Sequence, residues 1–85
     1  MKKIITLKGL LIAFDRDLCT DEIISIALKA DNDFTYIIAD ESMTYELEKY
    51  IHTFMELKGK VFENEFGDLL IKVSKYSAIS KGLQI

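Results

Sequence analysis

The chain has 85 residues and a mass of 9.8 kDa, enough for one domain, and its 49% hydrophobic and 29% charged residues exclude a disordered tail or a collagen-like repeat. There is no proline, and Cys19 is the single cysteine, so no intramolecular disulfide can form and the expected compartment is reducing, the cytoplasm. The net charge of -3 is unevenly spread: residues 15–48 carry ten acids against Arg16 and Lys29, and lysines dominate on either side. Phosphate backbones are held by clustered Lys and Arg, so direct nucleic-acid binding is not expected; an acidic surface serves solubility or a basic protein partner.

Met1-Lys2-Lys3 followed by Ile4 and Ile5 opens like a signal peptide, but Lys8 and Gly9 interrupt the apolar stretch and no small-residue cleavage site follows. No apolar run approaches the roughly 20 residues of a membrane span, and no membrane partner is expected. Ile4–Leu7 and Leu10–Phe14 read as strand segments. Between them, Lys8-Gly9 is either a two-residue hairpin turn or a glycine bulge in one long strand. Asp15-Arg16-Asp17 ends the segment with turn chemistry.

Thr20 then stands as a helix N-cap with Asp21 and Glu22 in the first turn, and Ile23, Ile24, Ala27 and Leu28 recur at helical spacing. A helix is expected over about 20–30. Asp31-Asn32-Asp33 is a turn cluster, and Phe34–Ala39 is a short buried strand. Asp40 or Ser42 caps the next element. Leu47, Tyr50, Ile51, Phe54 and Met55 fall at i, i+3, i+4, i+7 and i+8, which predicts a second helix over about 43–58, closed by Lys58 and Gly59. Val61 and Phe62 begin a strand, Glu63–Asp68 is a hairpin connection, and Leu69–Val73 returns. Residues beyond Ser77 carry little pattern.

The order strand, helix, strand, helix, strand, strand predicts an α+β fold. Its form would be a two-layer α/β sandwich, with two helices on one face of a roughly four-stranded mixed sheet and the other face open as a docking surface. An extra N-terminal strand from Lys2 to Leu7 would extend it.

Over residues 10–76 this order, and the segment Leu18-Cys19-Thr20-Asp21-Glu22-Ile23-Ile24, resemble the TusA-like and SirA-like sulfur carriers. In that family a Cys-Pro-x-Pro motif opens the first helix. Tyr36-Ile37-Ile38-Ala39-Asp40-Glu41 resembles the family's apolar strand ending in Ala-Asp-Asp, and Glu63–Asp68 followed by Leu69-Leu70-Ile71-Lys72 resembles its final hairpin. Both motif prolines are replaced here, by Thr20 and Glu22. The resemblance implies one domain over 1–85 that works as a sulfurtransferase-type persulfide relay, with Cys19 as sulfur acceptor, no cofactor and no metal. Its partners would be sulfur-donating and sulfur-accepting proteins.

A thiol at a helix start gains from unsatisfied N–H groups and the helix dipole. Arg16 is the one local cation, Asp17, Asp21 and Glu22 oppose a second anion, and Thr20 keeps the helix start without the first proline. The alternative is a TusA-like module without catalysis, engaging a protein through its acidic surface or open sheet face, with Cys19 a small buried hydrophobe. His52 between Glu48 and Glu56 reads as an i,i+4 ladder on a solvated helix face rather than a metal row. Asp31-Asn32-Asp33 opens like a calcium loop, but Tyr36 and Ser42 stand where an EF-hand needs glycine and glutamate.

Overall fold

Alternation with period two governs nearly the whole chain, and the helical period governs only a few turns of it. In a computed structural model, which describes residues 4–79, five strands form a closed barrel. β1 is Ile4–Arg16, β2 Ile23–Ala30, β3 Thr35–Ile38, β4 Phe54–Glu63 and β5 Leu69–Ala78. Between β3 and β4 lie helix α1, Glu41–Leu47, and a 3-10 turn, Glu48–Tyr50. The strand order around the barrel is β1-β2-β3-β5-β4, antiparallel throughout except that β3 and β5 run parallel.

β1 closes the barrel because it pairs with two neighbours. Its first half, Ile4–Leu10, pairs with β4, and its second half, from Gly9 to Arg16, pairs with β2. A strand serving both must bend sharply where the two halves meet, and Gly9 sits there. A Cβ on Gly9 would run into the Lys29 carbonyl and the Ala30 backbone, so the residue is glycine because the neighbouring backbone comes too close for any side chain. Lys8-Gly9 is therefore neither a hairpin turn nor an extra bulge residue; β1 is continuous through it. The register shift in β1 falls later, between Ala13 and Arg16.

The inner face is apolar: Leu7 and Leu11, Ile26, Leu28 and Ala30, Tyr36 and Ile38, Met55 and Leu57, Ile71 and Val73 are all buried. Cross-strand pairs such as Leu11 with Leu28, and Leu28 with Tyr36, set the register, since a one-residue slip would turn this set to water. α1 adds Leu47, which has no accessible surface and belongs to the same core cluster. Asp40 caps α1, its carboxylate accepting from the Ser42 N–H at 3.3 Å. A second tie comes from β5, where the Tyr76 hydroxyl donates to the Glu46 carboxylate and its ring meets Tyr50 edge-on at 5.8 Å. Losing the phenolic proton would forfeit that hydrogen bond, and with lesser help from burial the Tyr76 pKa is pushed up to about 12.

The two-layer α/β sandwich expected from the sequence is not the architecture, and there is no open sheet face on a closed barrel. The helix expected over 20–30 is β2: Ile26, Leu28 and Ala30 face inward at period two, and Ile23, Ile24 and Ile26 favour a strand through their branched β-carbons. The helix expected over 43–58 stops early. Ile51 is extended at φ -56°, ψ 138° and His52 is left-handed at φ 71°, and from Phe54 the chain alternates as β4, so Gly59 lies inside a strand instead of capping a helix. The strand expected over 34–39 is present as β3, and the hairpin across 63–68 joins β4 to β5. Of the added N-terminal strand, Ile4–Leu7 is part of β1; Lys2 and Lys3 lie outside the described residues, as do those beyond Ile79. With one short helix and a barrel, the TusA-like and SirA-like resemblance fails at the level of fold.

Candidate functional site

Cys19 sits in the loop joining β1 to β2, with its neighbours arranged as a turn and no helix to follow. Asp17 organises it: its carboxylate accepts from the Cys19 N–H at 2.8 Å and the Thr20 N–H at 3.2 Å, and its carbonyl accepts from the Asp21 N–H at 2.8 Å. The Thr20 hydroxyl accepts from the Glu22 N–H at 3.3 Å, and Asp21 takes a left-handed φ of 64°. Arg16 donates to the Asp21 carbonyl at 3.1 Å and meets its carboxylate at 3.6 Å. Every residue singled out around the cysteine is thus engaged in shaping an exposed loop.

Cys19 itself is exposed rather than a buried hydrophobe, and the element that follows it is a strand, so no helix N-terminus lies beside it. The sulfur-carrier reading is overturned on both counts, fold and local setting, and the TusA-like binding module falls with the fold it was attached to. His52, Glu48 and Glu56 form no ladder, because the helix ends before His52 and Glu56 belongs to β4. Asp31-Asn32-Asp33 is a turn in which Asn32 accepts from the Phe34 N–H at 3.0 Å and donates to the Tyr36 hydroxyl at 3.0 Å. Among the described residues no group of three or more His, Cys, Asp or Glu side chains is placed to hold a metal.

The outer surface of the barrel is where chemistry converges. On β4 and β5 the outward positions form three successive rungs: Phe62 opposite Leu70, Lys60 opposite Lys72, and Lys58 opposite Lys75. All four lysines are exposed. Like charges placed directly across a ladder repel, and the single ion pair among the described residues is Arg16 with Asp21, far from them in the chain. β1 flanks the lysines with the uncharged Ile4 and Thr6, while Lys8 stands opposite Glu56. The hairpin after Glu63 holds its shape through Asn64, which accepts from the Phe66 and Asp68 N–H groups at 2.9 Å each, with Gly67 at φ 85°.

The rung of Phe62 and Leu70 belongs to a longer row. Leu70 is registered with Ile37, Ile37 with Ala27 and Ala27 with Ile12, so five apolar residues cross five strands on the outside of the barrel. Outward barrel positions are ordinarily polar. Ala27 has no accessible surface although it faces out, while Ile12, Ile37, Phe62 and Leu70 are partly exposed. Phe62 and Lys72 also line a shallow recess with Ala39 and Asp40, which joins the apolar row to the lysines.

None of these residues stood out in the sequence. Lys58 and Lys60 were placed at and beyond a helix end, and Lys72 and Lys75 look unremarkable until β5 is laid against β4. The alternation Lys58, Lys60, Phe62 was the available signal, masked by the helical spacing that precedes it. No family model, curated protein or solved structure matches this chain.

Proposed function

We propose that this barrel is a binding module for a polyanionic chain, held on the lysine face of β4 and β5. The observation that carries the reading is the pair of rungs Lys60–Lys72 and Lys58–Lys75, four exposed cations that make no ion pair with a carboxylate among the described residues, although Glu56 lines a recess with Lys58 and Lys75. Two residues along a strand advance about 6.7 Å, so the rungs offer a regular ladder of charge to a ligand whose anions repeat. The net charge of -3 argued against such a ligand. Arrangement argues for it, because ten of the fourteen acids lie in residues 15–48, and within β4 and β5 the four lysines stand against Glu56 and Glu63 alone.

Topology supports the same reading. A five-stranded Greek-key barrel in the order β1-β2-β3-β5-β4 is the arrangement of the oligonucleotide- and oligosaccharide-binding fold, whose polymeric ligands lie on the face of its second and third strands and the loops beside it, so the analogy supports a polymeric ligand and not its position on β4 and β5. That is an analogy of fold; the lysine ladder is the site-level support.

The test is equilibrium titration of the protein into fluorescently labelled duplex DNA and into inorganic polyphosphate, over a range of salt. Binding should weaken with salt, and Lys60→Glu combined with Lys72→Glu should abolish it. If neither probe binds at low salt, or the double reversal leaves binding unchanged, the reading is wrong.

A further inference from the structure

We infer that the hairpin joining β1 to β2 docks on the lysine face of a second copy of this chain. The inference shares Lys60 and Lys72 with the polyanion reading but does not rest on it, since it starts from the hairpin. Beyond Leu11, β1 is registered only with β2, and before Ala27, β2 is registered only with β1, so residues from Phe14 to Ser25 stand away from the barrel as a two-stranded ribbon. Register shifts in a ladder re-aim side chains. Here Phe14 is passed over between the pairs Ala13–Ile26 and Asp15–Ser25, and Ile24 between Asp15–Ser25 and Arg16–Ile23. Phe14 is 50% exposed, Ile24 56%, and Leu18 in the loop 99%. A solvated turn has no use for three large apolar side chains; a contact surface does.

Charge selects the occupant. From Asp15 to Glu22 the hairpin holds four carboxylates against Arg16 alone, and Arg16 is already engaged by Asp21. A polyanion would be repelled, so the partner must offer cations beside apolar surface. This chain offers both in one place. A recess of about 330 Å³ is lined by Ile4, Lys60, Lys72, Val73 and Ser74, with Ile4 opposite Lys60, Lys60 opposite Lys72, and Ile4 itself 58% exposed. An apolar side chain of the hairpin enters beside Ile4 while the exposed carboxylates of Asp15 and Glu22 meet the lysines. The hairpin cannot reach the recess of its own chain, because Ile4 and Arg16 are the two ends of the one thirteen-residue strand β1, which its ladders to β4 and β2 hold in place. The contact is therefore heterologous, the hairpin of one copy on the face of another.

Sedimentation velocity is measured on the unaltered chain up to about 1 mM, on Leu18→Lys with Glu22→Lys, and on Lys60→Glu with Lys72→Glu, each fold being checked by thermal melting. All four positions are exposed, so the substitutions leave the core alone. The average mass of the unaltered chain should rise with concentration and fall back towards that of a monomer in about 1 M salt, where charges are screened within about 3 Å. Each double variant should stay monomeric alone. Mixed in equal amounts, the two should form a species of twice the monomer's mass and nothing larger, because one retains the face and the other the hairpin. An unaltered chain that stays monomeric, or a mixture that gains no mass, would overturn the inference. So would self-association that the hairpin variant retains. Polyphosphate binding is read separately on the hairpin variant, which keeps its lysines. Binding there, with an unaltered chain that stays monomeric, removes the inference and leaves the polyanion reading standing. Self-association that behaves as expected, with no anionic probe bound, removes the polyanion reading and leaves the inference.

Discussion

A β-carbon on Gly59 would be driven into the carbonyl of Lys72 and against the backbone of Val73, at the point where the β4–β5 register shifts after Lys58. Gly9 meets the same obstacle at the crossing of β1 from β4 to β2. Both glycines are therefore requirements of barrel closure, since each lets two strands approach where the sheet turns its corner. Gly59→Ala should cost at least about 1–3 kcal/mol, as overpacking of a well-packed site does, from a total of roughly 4–13 kcal/mol for a chain of this size. A lowered urea midpoint with an unchanged slope is the expected result, and an unchanged midpoint would mean that the strands can separate at no cost. Neither glycine declares this role in the sequence. Gly9 after Lys8 resembles turn chemistry and Gly59 after Lys58 resembles a helix end, because glycine is permissive in all three settings and only the approach of a distant strand distinguishes them. Cys19 was misleading for a related reason. Its neighbours Asp17, Thr20, Asp21 and Glu22 are the residues that begin helices, and they are also the residues that make Asx and ST turns, which is what Asp17 and Thr20 do here.

Helix α1 is short, and its place depends on contacts beyond its own hydrogen bonds. Asp40 caps its start, Leu47 is buried in the barrel core, and Tyr76 of β5 holds Glu46. Seven residues are too few for a stable helix in isolation, so these anchors decide whether the segment is helical at all. The Tyr76 tie has a pH signature. Its phenol is neutral in the bonded state, with the pKa raised from 10.0 to about 12. Stability from this bond is thus fully present below about pH 10, where folded and unfolded chains both keep the proton, and is lost as pH rises towards 12. Ultraviolet titration should show one tyrosine ionising near pH 12, absent in Tyr76→Phe; if that variant titrates like the unaltered chain, the phenol does not hold the helix. The elements that could be read from sequence were those with a turn signal on each side, β3 and the β4–β5 hairpin. Those that could not were β2 and the first half of β4, where aliphatic and aromatic residues satisfy three- and four-residue spacing by accident. Leu47, Tyr50 and Ile51 belong to the helix, the 3-10 turn and the turn after it, and Phe54 and Met55 to a strand, yet all five fall on one helical stripe. A short apolar window cannot separate the two periods, and the left-handed residue that divides them, His52, is not one that signals a break.

At the scale of the molecule the notable property is that charge is arranged against stability. The sum over the chain is acidic, which was legible, but the closure that lays β5 on β4 and brings Lys60 to Lys72 and Lys58 to Lys75 depends on long-range pairing that no local pattern encodes. Directly opposed like charges cost a sheet roughly 0.2–1 kcal/mol relative to neutral pairs. If the lysines served only solubility, dispersing them would do as well and cost nothing. This gives a prediction whose two halves have opposite signs. Lys60→Gln removes one repulsion while keeping a long polar side chain on an exposed outward position, so the barrel should become more stable by a few tenths of a kcal/mol up to about 1 kcal/mol. For a domain of this size that raises the melting temperature by up to about 8 °C. The gain should shrink as salt rises, since exposed charges are screened beyond about 10 Å at 0.1 M and still more closely at 1 M. The same variant should bind polyphosphate and duplex DNA more weakly, and the slope of log affinity against log salt for the duplex should fall by about 0.9, one phosphate contact fewer. Melting temperature and affinity moving in opposite directions is the outcome expected of a site kept at the expense of stability. A variant that melts lower and binds as before would show that Lys60 supports the sheet, and that the lysine face holds no anion.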